Sequence, residues 1–164
     1  MLDKVIKINK LLDSQNLYTL KEAKREIPTK SSGFYWIFTK LPLDRFIEAP
    51  TPTNPVHVDL SLMAKVHQDS KWVIKQSGEE YWCVYNGKGT DLKARVSAAF
   101  TNTDGQTGKL ALTRCLNEKD FRVKFVVCDC KNPIYGINNS FSELQRDLER
   151  VWRLNFGWPF LSCI

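Results

Sequence analysis

The chain has 164 residues, 43% of them hydrophobic and 26% charged, the make-up of a folded globular protein and not of a disordered one. Twenty-four Lys and Arg against 18 Asp and Glu leave a net charge of +6, which favours a polyanionic partner without naming one. No apolar run reaches the roughly 18 residues of a membrane span, no export-type apolar stretch stands among the first residues, and the five cysteines form an odd set. The expectation is a protein with reduced thiols, no membrane association and a cytoplasmic location.

Val5, Ile8, Leu11 and Leu12 stand at helical spacing within 3–16, and a second short helix is expected over 19–26, before Pro28. Together they form an N-terminal helical arm over 1–30. The aromatic run GFYWIF at 33–38 reads as a strand. Four prolines between 39 and 70 (Pro42, Pro50, Pro52 and Pro55) indicate a loop-rich insertion with one short helix near 41–47. KWVIK (71–75) and YWCVYN (81–86) read as strands, followed by a turn at Gly87-Lys88-Gly89-Thr90 and a helix over 91–100 with Thr90 as its N-cap. KLALTRCL (109–116) and FRVKFVVCD (121–129) read as two further strands, the second alternating Phe121, Val123, Phe125 and Val127. A last helix over 141–155 opens on a capping box, Ser140-x-x-Glu143, and ends at Gly157 and Pro159. The expected fold is a single α/β (α+β) domain over 1–164, with a small, mainly antiparallel sheet flanked by helices. Cys128-x-Cys130 has the look of half a zinc site, but no second pair completes it.

The order of GFY (33–35), VYNGKG (84–89), a helical Arg95 and a late helix LERVWRLNFGWP (148–159) resembles the GIY-YIG nuclease family. Gly33-Phe34-Tyr35 stands for the first half of that signature and Tyr85-Asn86-Gly87 for the second. The resemblance covers about half the chain. It implies a metal-dependent endonuclease that hydrolyses DNA phosphodiester bonds by attack of water. Glu149 would hold one Mg²⁺ or Mn²⁺ ion, Arg95 would neutralise the phosphate, and Tyr35 and Tyr85 would order the water or phosphate, with Tyr85 nearest the nucleophile. The partner would be DNA, double-stranded in the first instance, and cutting both strands would require a homodimer or sequential nicking.

The chemistry suits these residue types. Mg²⁺ tolerates a single carboxylate because it keeps most of its waters, and Arg offers a planar, permanently charged fork that matches phosphate oxygens. A free phenol titrates near pH 10, so Tyr85 needs help to act as a base, and Lys88 is the candidate for supplying it. Gly87 and Gly89 permit close approach of a phosphate to the backbone. Further phosphate contacts are expected from Lys4, Lys7 and Lys10, and from Lys109, Arg114, Arg122 and Lys124.

Each residue also has a plainer reading. Tyr35 and Tyr85 suit a strand core, Arg95 suits a surface pair with Asp91, Lys88 suits a turn, and Glu149 suits pairing with Arg146 or Arg153. The chain departs from the family pattern at Ala99, where a His or Tyr is common, in the long separation of Tyr35 from Tyr85, and at Leu161-Ser162, where an Asn is common. His57 and His67 fall in the insertion. These departures keep an alternative open, a catalytically weak nucleic-acid-binding module on the same fold, and beyond it a protein-interaction domain.

Overall fold

Residues 1–101, 109–128 and 141–162 are described by the structure, a computed structural model. Gly33–Thr39 forms β1, Trp82–Gly89 forms β2 and Phe121–Val127 forms β3; β1 lies in the middle, antiparallel to both neighbours. Six helices accompany this sheet among the described residues: α1 (Leu2–Ser14), α2 (Leu20–Glu26), α3 (Leu43–Ile47), α4 (Leu60–His67), α5 (Leu92–Thr101) and α6 (Phe141–Phe156). The fold is therefore α+β. No helix is long and apolar enough to cross a membrane among these residues.

Strand alternation divides the apolar side chains between two faces. Tyr35, Ile37, Val123 and Phe125 face one core, which α2, α4 and α5 cover with Ala23, Leu60, Val96 and Phe100. Phe34, Trp36 and Val126 face the other, closed by Val5, Ile8 and Leu12 of α1 and by Leu148 and Trp152 of α6. The N-terminal arm is thus part of the body of the protein, held by its apolar stripe. A bulge in β2 sets Ile37 opposite Tyr85 and Phe38 opposite Cys83. The extra residue, Val84, then joins Tyr85 on the face of the first core.

Two expected strands are absent from the sheet. Over 109–116 the chain turns instead, with Ala111 left-handed at φ 40° and a 3₁₀ turn at Leu112–Arg114. Leu110 and Leu112 are buried against the first core, so their alternation reflects burial of a loop and not pairing. Residues 71–75 make only one bridge, from Val73 to Trp158. Both sheet edges are otherwise occupied. Tyr18 exchanges backbone hydrogen bonds with Val123 on β3, while Leu161 N–H donates to the Val84 carbonyl on β2. The expected turn at 87–90 is also shorter, since β2 continues to Gly89 and Asp91, not Thr90, accepts from the Ala94 N–H at the start of α5. The insertion holds two helices, α3 and α4, the second capped by Asp59. Ser140 of the expected capping box, the side chain of Glu143 and the Cys130 half of Cys128-x-Cys130 lie outside what is described.

Candidate active site

A cavity of about 510 Å³ opens beside β2, between α5 and α6. Tyr35, Tyr85, Gly87, Lys88, Arg95 and Glu149 all line it, although they come from two strands and two helices spread along the chain. Lys109, Arg146, Arg150 and Arg153 complete the basic part of its wall, and Ala99 adds an apolar patch.

The glycines of VYNGKG are explained by side chains. A Cβ on Gly87 would stand 2.7 Å from Cζ and Oη of Tyr35, its partner across the β1–β2 ladder. One on Gly89 would collide with Cγ of Arg95. Gly87 therefore makes room for the Tyr35 ring, and Gly89 for the arginine stem.

Tyr35 is buried and its ring centroid lies 5.9 Å from that of Tyr85. Each hydroxyl also acts on the other, raising the Tyr35 phenol and lowering that of Tyr85. Burial is the main influence on both and carries each above the ordinary tyrosine range, Tyr35 furthest. A neutral Tyr85 keeps its O–H as a donor. The expected help from Lys88 falls elsewhere, since that ammonium acts on Glu149.

Glu149 accepts from Arg153 Nη2 at 3.0 Å, a pair whose side chains are only 11% and 7% exposed. Burial raises the Glu149 carboxyl above the usual range, opposed by the positive charges of Arg153, Lys88, Arg95 and Arg146. Arg153 in turn donates through Nε to Asn86 Oδ1 at 2.8 Å, and Ser162 Oγ donates to the same oxygen at 3.0 Å while accepting from the Asn86 N–H. The guanidinium lies 4.9 Å over the Trp158 ring. A network thus runs from Glu149 on α6 to the middle of β2 and the chain after α6. Arg153 was visible in the sequence only as a possible helical partner of Glu149. Asn86 and Ser162 gave no signal of their own beyond their place in the motifs.

The other expected phosphate ligands divide. Lys109 lines the cavity. Arg114 does not: its guanidinium donates to the carbonyls of Val58 and Leu110 and fastens the 109–116 turn. Arg122 and Lys124 pair with Phe38 and Trp36 on the opposite face of the sheet. There Arg122 bonds the Lys119 and Phe121 carbonyls, and Lys124 lies 5.7 Å over the Phe38 ring. Lys4, Lys7 and Lys10, on α1, are also absent from the cavity wall. Neither His57 nor His67 reaches it, and His67 Nδ1 contacts the Phe160 carbonyl at 2.8 Å.

No family model, curated protein or solved structure matches this chain. The chemistry of the site rests on its own residues. No cluster of three His, Cys, Asp or Glu side chains that could hold a metal ion exists among the described residues. Glu149 is the acidic group of the cavity wall, and its second oxygen takes no protein hydrogen bond among the described residues. That oxygen could hold a Mg²⁺ or Mn²⁺ ion whose other ligands are water and phosphate, while the surrounding cations favour the phosphate and oppose the metal.

Proposed function

We propose that the protein is a metal-dependent nuclease of the GIY-YIG type, hydrolysing phosphodiester bonds of DNA in the cavity between β2, α5 and α6. The single observation that carries this reading is the convergence of Tyr35, Tyr85, Lys88, Arg95 and Glu149 on one wall. Their order in the sequence predicts the same set.

Arg95 and Lys88 bind the non-bridging oxygens of the scissile phosphate and offset charge as it develops in the transition state. Arg146, Arg150 and Lys109, further along the wall, hold neighbouring phosphates and position the strand without reading its sequence. Tyr85, whose ring packs beside that of Tyr35, donates to the phosphate, and the attacking water gives up its proton to solvent. Held neutral by burial, Tyr85 is an orienting donor and not a phenolate base. Glu149 is the ligand for Mg²⁺ or Mn²⁺, which when bound supplies Lewis-acid polarisation of the phosphate and stabilises the leaving oxygen. Arg153 fixes the orientation of that carboxylate.

The test is conversion of supercoiled plasmid by wild type, Glu149→Ala and Arg95→Ala, with Mg²⁺, Mn²⁺ or EDTA. Nicking or linearisation that needs metal and disappears in both variants, each still folded, is the expected result. Retardation of DNA with no cleavage under any of these conditions favours the alternative, a binding module, which the apolar Ala99 on the cavity wall also suits. Absence of salt-sensitive DNA affinity overturns both readings.

A further inference from the structure

Trp72 is 83% exposed, more than any other large apolar side chain among the described residues. The remaining tryptophans are covered: Trp36, Trp82 and Trp152 are buried and Trp158 is half-buried. Trp72 borders an apolar hollow of about 420 Å³ together with Met63, His67 and Trp158. An exposed indole beside a hollow calls for an occupant, and two features indicate which.

The first is charge. Lys65, Lys71 and Lys75 outnumber Asp69 in the stretch that carries the indole, and Lys65 and Lys71 are exposed. The second is continuity with the cavity. The Trp158 N–H donates to the Trp72 carbonyl at 2.9 Å, and the Ile74 N–H donates to the Trp158 carbonyl at 2.9 Å. Trp158 also carries the Arg153 guanidinium over its ring, and Arg153 pairs with Glu149. The hollow and the cavity thus share a wall, with Trp158 and Ser162 toward one and Arg153 and Leu161 toward the other. This wall sets the hollow that Trp72 borders next to the cavity that would hold the phosphate.

In an uninterrupted duplex each base face is covered by its neighbours, so an aromatic side chain stacks only on a base that is single-stranded, terminal or displaced. We propose that Trp72 is a stacking platform for an unpaired base next to the phosphate held in the cavity. The substrate class is then nucleic acid with a single-stranded or locally opened segment at the cut. This inference rests on the nuclease reading for the position of the phosphate.

The test is made on the full chain in EDTA. Tryptophan emission is followed while a short oligothymidylate, or a duplex of equal length, is added, and binding is measured separately by anisotropy of the labelled strand. The expected result is quenching by the single strand, lost in Trp72→Phe, which still binds because a phenyl ring also stacks. Trp72→Ala weakens single-strand binding roughly tenfold and leaves duplex binding nearly unchanged. Because Trp72 is exposed, neither variant is expected to lose its fold, and thermal melting verifies this. Equal quenching in wild type and Trp72→Phe, or undiminished binding by Trp72→Ala, overturns the inference. So does an emission change that follows protein concentration alone and accompanies dimer formation in the ultracentrifuge, which assigns the indole to a contact between copies. If quenching and the Trp72→Ala loss occur but no metal cuts the DNA, the nuclease reading falls and the stacking platform stands. If metal-dependent cutting occurs and Trp72→Ala processes single-stranded and duplex substrates like wild type, the reverse holds.

Discussion

The Cα of Gly87 faces the Tyr35 ring so closely that a methyl group there would lie 2.7 Å from the phenol oxygen. Tyr35 is buried with its ring in the first core, and Gly87 is held by the β1–β2 ladder, so neither gives way cheaply. Gly87→Ala is expected to cost about 1–3 kcal/mol by overpacking, measured by urea unfolding. Combining it with Tyr35→Val, which removes the ring, should cost clearly less than the sum of the two single changes. Full additivity would show that the two residues do not compete for that space. Tyr35→Phe is no substitute here, since the ring carbons Cζ and Cε1 are as close as the oxygen.

Glu149 is held in a position that suits a ligand better than it suits the fold. Burial raises its carboxyl more than the surrounding arginines and Lys88 lower it. A group whose folded pKa lies above its unfolded value contributes most favourably below the ordinary carboxylate range. That contribution is lost as pH rises through the folded pKa, so at neutral pH the ionised group weighs against folding. Glu149→Gln keeps an oxygen for Arg153 without the charge. In EDTA at neutral pH it should melt at or above the wild-type temperature while cleavage is abolished, a trade of stability for activity found at functional sites. The difference should close below about pH 4, where both proteins are neutral at this position. A variant that melts lower at neutral pH would mean that the ion pair with Arg153 is worth more than the burial costs.

Much of this arrangement was legible in the sequence, for definite reasons. GFYWIF and the alternation of Phe121, Val123 and Phe125 gave β1 and β3 because each strand buries one or both faces. The stripe of Leu144, Leu148, Val151 and Trp152 gave α6 because it packs on the second core. Residues 109–116 misled because alternation records burial, and Leu110 and Leu112 are buried by a left-handed turn at Ala111. α4 was missed because Pro50, Pro52 and Pro55 dominate the approach to it. Chain order anticipates that Tyr35, Tyr85, Arg95 and Glu149 come together, since their positions follow from the elements that carry them. It does not tell that Arg122 and Lys124 stand on the other face of the sheet, because that requires the parity of β3 relative to Tyr35. It gave no role to Arg153 because Asn86, its partner on β2, is brought near only by the tertiary fold.

Tyr85 is expected to act without ionising. Its phenol is raised by burial, with only partial opposition from the Tyr35 hydroxyl, so it stays neutral throughout the range in which Mg²⁺-dependent cleavage is measurable. Tyr85→Phe should lower the cleavage rate by a similar factor at every pH between about 6 and 9, below the ordinary tyrosine range. The shape of the pH profile should not change. A rise in wild-type rate with pH that vanishes in Tyr85→Phe would assign a phenolate base after all. Spectrophotometric titration provides an independent check, since the ionisation removed by Tyr85→Phe should lie above pH 10.

Arg153 is the residue on which the site's geometry depends most. It meets Glu149 and Asn86 with different nitrogens, Nη2 and Nε, and its plane lies over Trp158. An ammonium group has neither the fork nor the flat face for this, so Arg153→Lys should recover little of what Arg153→Met loses. Losing Arg153 strands the buried Glu149 carboxylate and breaks the bond to Asn86, at a cost of about 3–5 kcal/mol. The carboxyl of Glu149 then has less to oppose its burial, and it will take up a proton more readily. The cost of Arg153→Met should therefore be largest near pH 8 and shrink toward pH 5, as protonation removes the stranded charge. Adding Glu149→Gln to Arg153→Met should restore much of the stability at pH 8 and flatten the pH dependence. Urea unfolding of the four proteins at both pH values measures this coupling directly. Equal losses at the two pH values would show that Arg153 holds the fold through Asn86 and Trp158, and that its bond to Glu149 contributes little.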